Sequence, residues 1–76
     1  MRLRKNASPV DFLKQVQKCQ YDVYLETEEE DRLNLKSVLS QYLFVVLAEQ
    51  SDVWEHSRIT CKDTDREVLK EYLEEI

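Results

Sequence analysis

Apolar residues recur along this chain with two spacings, every three to four residues and every second residue, and the switch between them predicts the order of its elements. The first helical signal is Ser8-Pro9-Val10-Asp11. The serine hydroxyl can accept from N–H groups of the first turn, Pro9 suits the first helical position because its missing donor costs nothing there, and Asp11 closes a capping box. Val10, Leu13, Val16 and Gln17 or Gln20 then form an inward face, with Phe12 and Cys19 flanking it and Lys14 and Lys18 toward water. Next, Tyr21 to Leu25 alternates with Tyr21, Val23 and Leu25 on one face, and Arg32 to Lys36 repeats the pattern with Leu33 and Leu35. A hairpin is predicted. Its connection, Glu26-Thr27-Glu28-Glu29-Glu30-Asp31, is a solvated acidic turn and not a calcium loop, which needs more varied oxygen ligands and a glycine at its sharp bend.

A second helix is predicted from a Ser37 cap through Val38 to Gln50. Leu39, Tyr42, Leu43, Val46 and Leu47 fall at i, i+3, i+4, i+7 and i+8, so the periodicity sends them inward and leaves Phe44 and Val45 facing outward. The β-branched Val45 and Val46 keep a strand-like tail open as the alternative. His56 to Lys62 gives a third strand with Ile59 and Cys61 inward. Thr64-Asp65-Arg66-Glu67 is another capping box, and Val68, Leu69, Tyr72, Leu73 and Ile76 predict a helix to the end of the sequence. In that helix Asp65 and Glu67 face the positive end of the dipole. Trp54 and Tyr24 read as core or edge packing.

Length bounds the architecture. Seventy-six residues make one domain, and with 42% hydrophobic and 36% charged residues the chain can fill a small core and lies outside the disordered class. A net charge of −5 argues against nucleic acid and anionic membranes as partners. The longest apolar run, Tyr42 to Ala48, is far short of the roughly 20 residues of a membrane span, and no signal-peptide h-region follows the basic start, so a cytoplasmic location is expected. Glycine is absent altogether, which excludes phosphate-cradling loops of the P-loop and Rossmann kinds and with them those cofactors. Cys19 and Cys61 are too far apart for a CxxC motif and read as reduced thiols; with one histidine, His56, they make no metal site. No cofactor is expected.

With a short edge strand at Arg2-Leu3-Arg4, the predicted order is β-α-β-β-α-β-α. That order, the Pro9 that opens the first helix, the segment Leu35-Lys36-Ser37-Val38-Leu39 that opens the second, and the acidic start of the last helix after Asp63 resemble the HPr family, the histidine-containing phosphocarriers of the bacterial sugar phosphotransferase system. The resemblance implies an α+β fold, an open-faced sandwich of three helices on a small antiparallel sheet, with the first strand shortened or lost. It also marks departures. Asn6 stands where the family's phosphoaccepting histidine belongs, and Ser8 where its arginine belongs. An amide cannot accept a phosphoryl group as imidazole does, and a hydroxyl cannot supply a bidentate cationic fork. The stretch from Gln41 to Arg58 is also longer than usual and lacks the family's glycine turn.

The expected function is therefore non-enzymatic: an HPr-like protein that acts through contacts with phosphotransferase-system or catabolite-regulatory proteins, with a second copy of the chain as a further candidate partner. Lys36, Ser40, Leu43 and Phe44 are the candidate contact residues. Ser37 is the candidate regulatory phosphorylation site, because the matching serine of the family is a kinase substrate in many Gram-positive bacteria, a helix N-terminus favours phosphate, and the flanking Val38, Leu39, Tyr42 and Leu43 make an apolar patch of the sort partner proteins use. Two other readings are carried along. One is a small α+β interaction or assembly module unrelated to sugar transport; the other is a phosphocarrier that uses His56, the only side chain with an unperturbed pKa near neutrality.

Overall fold

The computed structural model describes residues 1–48 and 56–74. Its elements are β1 (Arg2–Leu3), α1 (Pro9–Val16), β2 (Tyr24–Thr27), β3 (Arg32–Asn34), α2 (Val38–Ala48), β4 (Ser57–Thr60), α3 (Asp63–Leu69) and β5 (Leu73–Glu74). This is an α+β domain with, among the described residues, three helices and two small antiparallel sheets. The predicted element order is present, the first strand is two residues long, and a fifth strand is appended.

The larger sheet has the order β3-β2-β4, with Leu25 opposite both Leu33 and Ile59 and Tyr24 opposite both Asn34 and Thr60. Alternation along the strands sorts the two faces. Leu25 and Ile59 are buried in the core with Phe12 and Val16 of α1, Phe44 of α2 and Leu69 of α3. The other face carries Tyr24, Glu26, Arg58 and Thr60. The second sheet pairs β1 with β5, Leu3 against Leu73, and joins the first where the Ile59 amide donates to the Met1 carbonyl at 2.7 Å.

The hairpin turn is built without glycine. Thr27 and Asp31 close it, the Thr27 amide donating to the Asp31 carbonyl at 3.0 Å and the Asp31 amide to Thr27 Oγ1 at 3.3 Å. Glu30 takes a φ of 67°. A residue with a Cβ in that region costs on the order of 1 kcal/mol, which the turn's hydrogen bonds offset.

Four expectations are corrected. The inward face of α1 is Phe12 and Val16, continued by Cys19, while Val10 is half exposed. The Phe12 ring lies 5.8 Å from that of Phe44 and 6.0 Å from that of Tyr72, so an aromatic cluster, not the aliphatic stripe, sets the helix's rotation. In α2 the phase is likewise turned, as described below. The last helix stops at Leu69: the Tyr72 and Leu73 amides donate three residues back to Leu69 and Lys70, and Leu73–Glu74 leaves the helical path to pair with β1. Edge pairing with β1 burial of Leu73 outweighs the helical periodicity there. Finally, the Thr64 capping box does not form: α3 begins at Asp63 after Lys62 with no side-chain cap, and Asp65, in its first turn as expected, is 2% exposed, accepting from the Gln20 amide at 3.0 Å and the Tyr21 amide at 3.1 Å. Two charge-assisted bonds thus tie α3 to the chain leaving α1.

Beside this clamp the Cys19 thiol is buried and reduced, and its pKa is pushed up to about 11 by burial first, then by the charges of Asp65 and Cys61. Burial also raises the half-buried Cys61 thiol. Both are poor nucleophiles.

Candidate functional site

The entry to α2 is fixed by Asn34. Its side-chain oxygen accepts from the Lys36 amide at 3.0 Å and its carbonyl from the Ser37 amide at 3.0 Å, after which the Gln41 amide donates to the Ser37 carbonyl at 2.9 Å and the helix is under way. The eleven residues that follow, VLSQYLFVVLA, include no charged side chain. A helix apolar nearly all round has no strong preferred rotation of its own, so its neighbours choose it. Phe44 is turned fully inward, 0% exposed, against Phe12. At 3.6 residues per turn this brings Ser40 and Gln41 to the flanks of the buried side and sends Leu39, Tyr42 and Val46 outward.

The result inverts an ordinary surface helix. Val38 is 81% exposed, Leu39 69% and Tyr42 67%, with Leu43 and Val46 also exposed. Between α1 and α2 lies an open groove of about 430 Å³, walled by Val10, Leu13, Val38, Tyr42 and Val45 and edged by Lys14, Gln17 and Gln41. Its chemistry is apolar, with Lys14 its one charged group. Such a surface can bury against another protein.

The predicted contact residues fare unequally. Leu43 lies on the exposed face and Ser40 is half-buried at its flank. Phe44 is corrected: it is a core residue and contributes nothing to any surface. Lys36 is corrected in part, because its ammonium donates to the Cys19 carbonyl and so ties the hairpin's exit to the end of α1. Ser37 is exposed immediately before α2. Val38, Leu39 and Tyr42, which belong to the apolar patch expected beside Ser37, are exposed, and so is Val46, which its spacing alone assigns to the core.

Asn6 lies exposed in the turn before α1, and Ser8 Oγ accepts from the Asp11 amide at 3.3 Å as the N-cap. The two are side chains of a turn and a cap. His56 is exposed beside the hairpin turn, Nδ1 3.1 Å from Glu28 Oε1. Glu26, Glu28, Glu30 and Arg58 surround it, an environment of mostly one sign that repels phosphate. Trp54 lies outside the described residues, as does the end of the predicted second helix at Glu49 and Gln50. Among the described residues no cluster of histidine, cysteine and carboxylate side chains could hold a metal ion, and no helix is long and apolar enough to cross a membrane.

The outer face of the larger sheet is polar and internally matched. The Thr60 hydroxyl donates to Glu26, which holds the Glu26 carboxyl below its usual range, with Arg58 and Arg32 acting in the same direction. The Arg32 guanidinium sits 3.8 Å from the centre of the Tyr24 ring, whose hydroxyl donates to Asp22 at 3.2 Å. Tyr24 is thus edge packing, as its sequence context suggests.

No family model, curated protein or solved structure matches this chain.

Proposed function

We propose that this chain is a non-catalytic interaction module on an HPr-like scaffold, docking a protein partner through the outward face of α2. The observation that carries the reading is the exposure of Val38, Leu39, Tyr42, Leu43 and Val46 on a helix without a charged residue. Contiguous apolar surface of this kind on a small domain marks a contact site. The HPr part of the reading is supported by the order of elements and by the Pro9 and Ser37 helix entries; the open-faced sandwich is the arrangement that order implies. The loss of phosphotransfer is supported by Asn6 and Ser8, whose side chains carry neither an acceptor nitrogen nor a guanidinium. Partners of the phosphotransferase system or of catabolite regulation follow from the resemblance, and Ser37, exposed at the start of α2, is the residue at which a kinase would adjust the neighbouring face.

Incubation with the phosphotransferase enzyme and phosphoenolpyruvate tests the non-catalytic part. No label is expected; a phosphate transferred to His56 would overturn it. Incubation with the family's serine kinase and ATP then tests the scaffold's kinship: a label on Ser37 is expected, and none would favour an interaction module unrelated to sugar transport.

A further inference from the structure

We propose that the outward face of α2 is the twofold interface of a homodimer, in which two α2 helices pack antiparallel. This rests on the reading of that face as a docking surface and names its occupant. Area is the first argument. Val10, Val38, Leu39, Tyr42, Leu43 and Val46 are each at least 40% exposed, a run of large apolar side chains of the kind that marks a contact site, and a standard interface draws roughly 800 Å² from each partner.

The second argument is the pattern within the patch. Leu39, Tyr42 and Leu43, and Val46 stand at i, i+3 and i+4, and i+7, the seam along which two helices interlock. A twofold interface pairs each patch with itself, so any charge near the axis meets its own copy. The seam of α2 has none. A protomer of net charge −5 can therefore approach another without placing carboxylates against one another at the centre.

Charge also fixes the direction. Lys14 borders the groove beside Val38 and Tyr42, near the positive N-terminal end of α2. The acidic turn of Glu28, Glu29 and Asp31 lies beside Leu47, near its C-terminal end. An antiparallel pair sets the lysine end of one protomer against the acidic turn of the other, twice, and opposes the helix dipoles; a parallel pair would set like against like.

Sedimentation equilibrium on the whole chain from about 1 µM to 1 mM should show the mass rising from 9.2 kDa to twice that value. Leu39→Glu, at a solvent-exposed position, should raise the midpoint concentration at least 100-fold while circular dichroism and the thermal transition of the dilute protein stay unchanged. Lys14→Glu should raise it about tenfold, and Lys14→Glu combined with Glu28→Lys should recover most of that loss. A chain that stays at 9.2 kDa throughout, or a dimer that Leu39→Glu leaves intact, would overturn the homodimer and leave the docking of a different protein standing. A dimer weakened by Leu39→Glu but indifferent to Lys14→Glu would overturn the antiparallel arrangement.

Discussion

Two surfaces of this domain face water, and they differ in whether they are finished. On the outer face of the larger sheet each functional group meets a neighbour: Thr60 and Arg58 reach Glu26, and Arg32 covers Tyr24. On the outward face of α2 five large apolar side chains are exposed. The first surface is complete in the monomer, and substitutions in it should read out in small local changes. The second gains from another molecule by burying what the monomer leaves wet, since apolar area removed from water is worth about 25 cal/mol per Å². The contrast is what supports the proposed docking face, without reference to any catalytic group.

The largest expected effect separates the two sides of α2 itself. Phe44→Ala should cost about 3–5 kcal/mol in urea unfolding, the range for deleting a buried aromatic, while Leu39→Ala in dilute protein should cost less than about 1 kcal/mol because its side chain is already in water. Equal losses would erase the distinction on which the functional face rests. Next comes the clamp: Asp65→Ala leaves the Gln20 and Tyr21 amides without their acceptor and should cost about 2–3 kcal/mol. On the finished face the effects should be small. Arg32→Ala removes a partly exposed cation–π contact worth about 0.5–1 kcal/mol.

The pH dependence sharpens the same contrast with two opposite signs. Cys19 has a raised pKa in the folded state, so its contribution is full below the ordinary thiol value of 9.0 and is lost as pH climbs from there toward about 11. Unfolding at fixed urea should therefore ease across that alkaline window in the wild type and less so in Cys19→Ala. Glu26 has a lowered pKa, held first by the Thr60 hydroxyl, so its contribution is present above the ordinary carboxylate value and fades as pH falls through the depressed one. Thr60→Val should move the Glu26 carboxyl titration, followed by NMR, back toward the ordinary value; no movement would mean that the hydroxyl is not what depresses it.

What could be read from sequence, and what could not, follows from where the signal lies. Local rules hold where they act alone: the Ser8-Pro9 entry begins α1, the second half of the acidic run makes the hairpin turn while Glu26 and Thr27 extend β2, and Leu25 and Ile59 face the core by simple alternation. The rotation of both early helices was not legible. The expected stripes are Val10, Leu13 and Val16 in α1 and Leu39, Tyr42, Leu43 and Val46 in α2, but Phe12 and Phe44 find one another across the interface, and that aromatic contact outweighs a periodicity that is weak in α2, a helix apolar nearly all round. Spacing alone therefore sends Leu39, Tyr42, Leu43 and Val46 to the core, where the structure leaves them outside, and only the apolar patch beside Ser37 pointed to this face. At the C-terminus the helical spacing of Leu69, Tyr72 and Leu73 was real but lost to pairing with β1, a partner 70 residues away that no local pattern reveals.

The rotation of α2 is open to one direct measurement. Methyl-labelled protein, kept dilute enough to be monomeric, is titrated with a soluble paramagnetic relaxation agent, and the Val and Leu methyl signals are followed. With Phe44 inward, the methyls of Val38, Leu39, Leu43 and Val46 should broaden strongly while those of Leu25, Leu35 and Leu69 stay sharp. Protection of Leu39 and Val46 at a level equal to Leu35 would contradict it, since α2 would then be packed the other way and its outward apolar face would not exist.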